Sequence, residues 1–540
     1  MQKLLLLGDE AIAQAALDAG LSGIYAYPGT PSTEITEFIQ NSRYAAENHI
    51  HSAWSANEKT AMEAALGMSY AGKRSMVCMK HVGLNVAADP FINSAITGAN
   101  GGMIVVAADD PSMHSSQNEQ DSRVYGKFAL VPILEPSDQQ EAYDMVHYGY
   151  DFSEKYRVPI LMRITTRMAH SRSGVARKKE VRKQNDLKMP GDLRQFVLLP
   201  GIARKRYKNL LRDHSAFIEE SESSPFNTYT DGPDKSLGIV VCGIAYNYLM
   251  ENFPDRKIPY PVLKLGQYPM PRKLVEKMAD ECAEILVIED GYPVIEELLK
   301  GYLGRGLKVK GRLDGTLPRD GELNPNLVAV ALGKPDTIGL PVPGLMVGRP
   351  PSLCSGCPHI DSYFALNEAL SKLAHGRVFS DIGCYTLGAL APYEAINSCV
   401  DMGASITMAK GAADAGLVPA VAVIGDSTFT HSGITGLLDA INCKSPITVL
   451  ILDNGTTAMT GGQQSSGEGK LEDICRGIGV EPEHIRILKP LRKNHEENVA
   501  ILKEELDYPG VSVIIPRREC IVAIDKRIRN KFKDKTNSPH

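Results

Sequence analysis

Two apolar runs constrain this chain more than any other feature. Residues 418–424 run into Gly425-Asp426-Ser427, a helical stretch follows at 433–442, and a second run, Ile447–Leu452, ends in Asp453-Asn454-Gly455-Thr456. Short apolar runs bounded by turn residues read as buried strands. Asp426 and Asn454 stand 28 positions apart, a natural length for one strand–helix–strand crossover. Two parallel strands joined in this way place both polar ends on the carboxyl edge of one sheet, where open α/β sheets bind ligands. A carboxylate, a side-chain amide and a nearby backbone carbonyl are the hard oxygen donors that Mg²⁺ takes, with substrate phosphate and water completing its shell. Gly425 lets the backbone come close to a diphosphate. Either motif alone is better read as a turn. Joined through one crossover, they favour a cation-and-diphosphate site.

Strands and helices alternate through most of the chain, the pattern of parallel α/β sheets. Strands are expected at Lys3–Leu7, 23–27, 75–79, 102–107 and 158–165, with an Ala-rich helix at 58–71. Residues 191–235 interrupt the rhythm with charged and polar residues and read as a connector or a solvated helix. A second α/β unit spans 236–335, with strands at 237–242 and 283–288 and a helix beginning near Val294. Residues 334–351 are rich in Gly and Pro and read as a linker. A third unit covers 350–525, with a further strand at 510–515, and a basic tail at 526–540 is expected to fray. The domains expected are therefore 1–190, 236–335 and 350–525. The 59 Lys and Arg against 64 Asp and Glu give a net charge of −5, too balanced for a nucleic-acid binder. No apolar run is long enough for a membrane span, and residues 4–7 are too short for a signal-peptide core. Ten cysteines in 540 residues read as reduced thiols of a cytoplasmic protein.

Gly425-Asp426…Asn454 matches the thiamine diphosphate signature. Gly425-Asp426-Ser427-Thr428-Phe429, His431-Ser432-Gly433, Met459-Thr460-Gly461-Gly462-Gln463, Cys354-Ser355-Gly356-Cys357-Pro358-His359, Asp381-Ile382-Gly383-Cys384-Tyr385-Thr386, Tyr27-Pro28-Gly29-Thr30-Pro31-Ser32 and Glu289-Asp290-Gly291-Tyr292-Pro293 fit too. Together they resemble the alpha subunit of indolepyruvate ferredoxin oxidoreductases, over roughly residues 3–515. The resemblance implies three doubly wound α/β domains: pyrimidine-binding, transketolase-C-terminal-like and diphosphate-binding. It implies thiamine diphosphate lying between the first and the last, often across a dimer interface. Asp426 and Asn454 become Mg²⁺ ligands, with Thr456 adding its backbone carbonyl. Gly383, Cys384, Gly403, Ser405, Gly425, Ser427 and Met459 become cofactor contacts alongside Asp426 and Asn454.

Thiamine catalysis requires a carboxylic acid beside the pyrimidine ring, and Glu58 matches the family's glutamate. Read locally, Ser55-Ala56-Asn57-Glu58 is a capping box, which favours Glu at its third helical position for reasons unrelated to catalysis. Thr30 reads locally as an N-cap with Pro31 at the first helical position. The resemblance puts its hydroxyl near the substrate carboxylate. Within the polar stretch 109–125, Arg123 is nominated for bidentate capture of a 2-oxo acid carboxylate, against the reading of an ordinary surface arginine. His431 reaches the cofactor or substrate, or caps the helix after it. Cys354, Cys357, His359 and Cys384 make a weak zinc pattern, since one Cys-x-x-Cys lacks a second closely spaced pair.

Family members usually append a ferredoxin-like module with Cys-x-x-Cys-x-x-Cys-x-x-x-Cys-Pro runs. After Cys475 only Cys520 remains here, so no iron–sulfur cluster of that module is expected in this chain. The resemblance implies oxidative decarboxylation of an arylpyruvate 2-oxo acid with transfer of the acyl group to coenzyme A. Electrons would then leave through partner chains, a beta subunit and a separate electron carrier, around a homodimer within a hetero-oligomer. The competing readings are a non-oxidative 2-oxo acid decarboxylase or carboligase, and a non-enzymatic relic of the fold, against which Glu58, Asp426 and Asn454 speak.

Overall fold

The computed structural model describes residues 3–190, 195–301, 306, 308–335, 343–348, 351–373, 377–399 and 401–536. These fall into two compact units, Met1–Pro341 and Val342–His540. Half of the Gly- and Pro-rich linker (336–342, 349 and 350) lies outside the described residues, as do residues 191–194 of the connector and 537–540 of the tail.

The first unit holds two large sheets. The larger has seven strands in the order Gln267–Tyr268, Ile133–Leu134, Ile160–Thr165, Met103–Asp109, Ser75–Lys80, Gly23–Ala26 and His51–Trp54. Every pairing is parallel except that of Gln267–Tyr268. Met103–Asp109 and Ile160–Thr165 are buried along their whole length. That is why they read as continuous apolar runs: a parallel sheet is covered by helices on both faces. Lys3–Leu7 is a strand as expected, yet it pairs antiparallel with Arg172–Ala176 in a separate two-stranded sheet. The second large sheet runs Val309–Lys310, Ile285–Ile288, Gly238–Cys242, Val262–Leu265 and Thr228–Thr230, the last antiparallel.

The charged stretch is mostly a 23-residue helix, Pro200–Glu222, with proline in its first turn. Leu210, Phe217 and Ser221 form its buried side, and Phe217 packs against the rings of Phe152 and Tyr156. Three inward positions at helical spacing hold an otherwise polar helix in place.

The two sheets form one unit because the chain crosses between them. Gln267–Tyr268 follows directly on Val262–Leu265 and pairs with Ile133–Leu134. A buried ionic cluster reinforces this join. Arg163 binds Asp109 at 2.6 Å and Glu135 at 2.5 Å, and donates to the Asp290 carbonyl at 2.8 Å. Burial pushes the carboxyls of Asp109 and Glu289 up, partly opposed by the arginines, while Asp290 rises to about 6.

The second unit carries a six-stranded, all-parallel sheet. Its order is Ser398–Cys399, Val378–Ser380, Ala420–Gly425, Ile447–Leu452, Ser512–Pro516 and Ile485–Leu488. Residues 526–536 of the basic tail do not fray from the chain but continue the helix Ile521–Thr536. Among the described residues no helix is long and apolar enough to cross a membrane.

Candidate cofactor and metal site

Ala420–Gly425 and Ile447–Leu452 are the two central buried strands of the second unit. They are parallel and pair from Ala420↔Ile447 to Gly425↔Leu452. This register leaves Asp426 and Asp453-Asn454 just beyond the same edge. After Asp426 the chain makes one turn of α-helix, Asp426–Thr428, and a π-helical turn, Phe429–Gly433, before the helix Ile434–Cys443.

Asp426 is 2% exposed, and its Oδ2 has no hydrogen-bond partner. Burial pushes its carboxyl up to about 7, with Asp453 adding to the rise, and hydrogen bonds from Ser465 and the backbone pull it back. The Asn454 side-chain oxygen accepts the Thr456 N–H at 3.1 Å, and its amide nitrogen lies 3.3 Å from His359 Nε2. Burial lowers His359 to about 4, so the neutral ring accepts from the amide and turns the Asn454 oxygen toward the loop. A buried carboxylate oxygen with no donor, beside an amide oxygen and the Thr456 backbone, fits a hard divalent cation. The donor set requires no soft ligand.

The nominated cofactor contacts gather on loops at this end of the sheet. A Cβ on Gly425 would fall 2.6 Å from Tyr385 Cε1, and one on Gly383 would fall 2.2 Å from the same atom. The Tyr385 ring thus lies across both backbones, and its hydroxyl donates to Asp381. Asp381 Oδ2 accepts the Ser405 N–H at 3.2 Å. Gly403 has φ +96° and caps the helix Ala404–Asp414, and a Cβ there would meet Ser432 Cβ at 2.6 Å. Ser405 Oγ is buried without a partner. Ser427 and Thr457 share a 2.9 Å hydroxyl hydrogen bond. His431 is buried in the π-helical turn, with Nδ1 2.6 Å from Ser432 Oγ, whereas Met459 is 60% exposed. Burial pushes the Cys384 thiol up to about 12 and that of Cys357 to about 11. Neither is poised as a thiolate ligand or nucleophile. Cys354, Cys357, His359 and Cys384 do not converge at metal-ligand distance among the described residues.

Sequence reasoning quoted Asp381, His359 and Asp453 within motifs but gave them no supporting role at this site. Asp381 closes the strand Val378–Ser380 as Asp426 closes its own, and that repeated pattern could have identified it. Asp453 is held by Arg517 at 2.6 Å, a pairing of residues 64 positions apart that no local pattern announces.

In the first unit, Glu58 is the first residue of the helix Glu58–Tyr70 and is 6% exposed. The capping box is present, but its members are Asn57 and Thr60. Asn57 Oδ1 accepts the Thr60 N–H at 2.8 Å, and Thr60 Oγ1 accepts the Asn57 N–H at 3.3 Å. Glu58 therefore does not serve in the box, which corrects the local reading. Its side chain lies over Gly83, where a Cβ would come within 2.7 Å of Oε1. Replacing Asn57 with Ala should cost about 1 kcal/mol of stability through the lost cap, measured by urea unfolding, with no change in Glu58-dependent chemistry.

Thr30 does not cap a helix either. The helix Thr33–Gln40 is preceded by Ser32, and the turn is closed by Ser32 Oγ donating to the Gly29 carbonyl and Thr33 Oγ1 accepting the Gly29 N–H. Arg123 corrects the sequence expectation more sharply. It is 1% exposed, bound to Asp121 at 2.6 Å and Glu289 at 2.9 Å, and donates to the Tyr292 carbonyl at 3.0 Å. Its charge is neutralised by buried carboxylates, with Glu289 facing Nη1 at 2.9 Å although Nη1 makes no hydrogen bond, and it belongs to the cluster joining the two sheets.

The parallel sheets, together with a cation-ready edge bearing Gly-Asp and Asn, define a thiamine diphosphate-dependent enzyme. The family model "Thiamine pyrophosphate enzyme, C-terminal TPP binding domain" matches residues 381–515, and "Pyruvate flavodoxin/ferredoxin oxidoreductase, thiamine diP-bdg" matches residues 14–196. The indolepyruvate oxidoreductase subunit IorA of Archaeoglobus fulgidus is 38% identical over 98% of this chain and 89% of its own length. That of Methanothermobacter thermautotrophicus is 38% identical over 96% and 87%, and that of Pyrococcus abyssi 37% over 96% and 86%. The chain belongs to the family of indolepyruvate oxidoreductase IorA subunits.

Proposed function

We propose that this chain is the catalytic subunit of a 2-oxo acid oxidoreductase that takes arylpyruvates of the indolepyruvate type. One 2-oxo acid anion and one coenzyme A thiol become one acyl-coenzyme A, one CO₂ and one proton, and two electrons pass to an acceptor on a partner chain. The observation carrying this reading is the unpartnered Asp426 oxygen at the strand edge it shares with Asn454. Identity to IorA subunits across nearly the whole chain supports the choice of reaction.

Asp426, Asn454 and the Thr456 carbonyl would hold Mg²⁺, and the backbones at Gly383, Gly403 and Gly425 would admit the diphosphate. Thiamine diphosphate, when bound, would supply a nucleophilic carbon and an electron sink for decarboxylation. Glu58 holds the proton exchanged with the cofactor's aminopyrimidine ring. The Thr30 hydroxyl orients the substrate carboxylate, and His431 lies beside the Asp426 loop to contact cofactor or substrate. Arg123 is left out, since its guanidinium is taken up by buried carboxylates. The electron carrier is placed on a partner chain, with a beta subunit completing a hetero-oligomer built on a homodimer.

An anaerobic assay with indolepyruvate and phenylpyruvate tests this. Coenzyme A-dependent dye reduction that appears when the partner chains are added is the expected result. Aldehyde release by the chain alone, indifferent to coenzyme A and acceptor, would replace this reading with non-oxidative decarboxylation.

A further inference from the structure

The first unit brings three potential metal ligands together. Asp9 lies in the first turn of the helix Gly8–Asp18, Glu34 in the first turn of Thr33–Gln40, and His170 ends the short helix Thr166–His170. One ligand atom of each lies within 4.8 Å of the others. Among the described residues this is the one group of three or more such side chains that comes so close.

A cluster of acids alone would mean little, but Asp9 adds an independent sign. It is fully buried at 0% exposure, and its carboxylate oxygens meet no N–H or hydroxyl donor, only the carboxyl of Glu34. Glu34 Oε2, which faces it, is likewise buried without an N–H or hydroxyl donor. A buried carboxylate with both oxygens unmet is costly unless a cation or a proton compensates it. His170 Nε2 stands 3.7 Å from Glu34 Oε2, an ion-pair distance rather than a close hydrogen bond. Ligands held at about 2.0–2.2 Å around one ion stand at most about 4.4 Å apart, so atoms lying within 4.8 Å of one another need only small side-chain shifts to reach one centre. The backbone has also made room. A Cβ on Gly8 would sit 2.1 Å from the Met168 carbonyl oxygen, so the glycine lets the His170-bearing helix press against Asp9. Exposed His170 and half-buried Glu34 leave the cluster open on one side.

We infer that Asp9, Glu34 and His170 form a second divalent-cation site, selective for a borderline transition ion and separate from the cofactor's Mg²⁺. Two carboxylates and one imidazole match Mn²⁺ or Zn²⁺ better than Mg²⁺, which favours an all-oxygen shell. The ion cross-links three helix ends and secures the helix Thr33–Gln40, which follows directly on the Tyr27–Ser32 loop. It thereby stiffens the segment that carries Thr30.

The test is Mn²⁺ titration of the chelator-stripped full chain without thiamine diphosphate, followed by electron paramagnetic resonance and thermal unfolding. Mn²⁺ is the probe because it avoids thiol ligands. The expected result is one tightly bound Mn²⁺ per chain with nitrogen modulation from an imidazole and a raised unfolding midpoint. The same ion should remain in the Asp426→Asn chain, which isolates this site from the cofactor's. Asp9→Asn should lose the ion while still binding thiamine diphosphate with Mg²⁺, and His170→Gln should lose the nitrogen modulation. If Asp9→Asn does not fold, Glu34→Gln takes its place, with loss of the ion again expected. Absence of bound Mn²⁺ without the cofactor, or undiminished binding by Asp9→Asn, would overturn the inference. So would a wild-type chain that binds no ion and is stabilised by Asp9→Asn, as a pair of carboxyls sharing one proton requires.

Discussion

Asp426→Asn is expected to abolish retention of thiamine diphosphate while making the cofactor-free chain more stable. Asparagine keeps the size of the side chain and removes the charge. In the cofactor-free protein, that charge sits at 2% exposure with Oδ2 unpartnered and Asp453 alongside. The folded-state carboxyl, at about 7, lies above the value of about 4 for an unfolded aspartate. Its protonation therefore favours the fold fully below about pH 4, and that contribution is lost as the pH rises through about 7. At pH 8 the wild type carries the penalty of a buried, half-satisfied carboxylate, and the variant should be about 1–2 kcal/mol more stable in urea unfolding. With Mg²⁺ and cofactor present the sign reverses, because the cation needs the anionic ligand to offset the diphosphate. Calorimetry in Mg²⁺ should show affinity at least about a hundredfold weaker, corresponding to roughly 3 kcal/mol. A variant that binds the cofactor as the wild type does would remove the ligand assignment.

Glu58→Gln should lower turnover by about 10²–10⁴-fold, the span associated with loss of a positioned acid. Its cost in stability should be no more than about 1 kcal/mol, the value of a carboxylate at a helix N-terminus. The structure makes this separation testable because the capping box is completed by Asn57 and Thr60. Were Glu58 the box's closing residue, its loss would unravel the first turn, and activity and stability would fall together. Asn57→Ala is the matching control, with stability lost and chemistry kept. Equal turnover in Glu58→Gln and wild type, at saturating cofactor, would show that the acid comes from elsewhere.

The capping box illustrates where local reading stops. Ser55 and Asn57 are both capping residues, and Glu58 and Thr60 can both close a box. Which pair forms depends on where the backbone enters helical φ and ψ, and here Asn57 is still extended at φ −158° and ψ 176°. The helix Pro200–Glu222 was obscured by its charge, because only three of its 23 residues are buried. The short edge strands Ser398–Cys399 and Val309–Lys310 carry too few residues for any period to appear.

What the sequence alone determined is the crossover Ala420–Gly425 to Ile447–Leu452, the Gly-Asp and Asn that end its strands, and the class of cofactor they serve. Two short, mostly apolar runs that each end in a polar turn favour that use once one crossover joins them, and the strand register fixes the edge they share. Tertiary structure decided the fate of the charges. Arg123 turned inward because Asp121 and Glu289, 168 positions apart in sequence, converge on it in the folded unit. Asp9, Glu34 and His170 meet because three helices end together, a convergence that requires the whole first unit to fold. Strand periodicity is written in neighbouring residues, whereas the compensation of a buried charge depends on whatever distant segment packs against it.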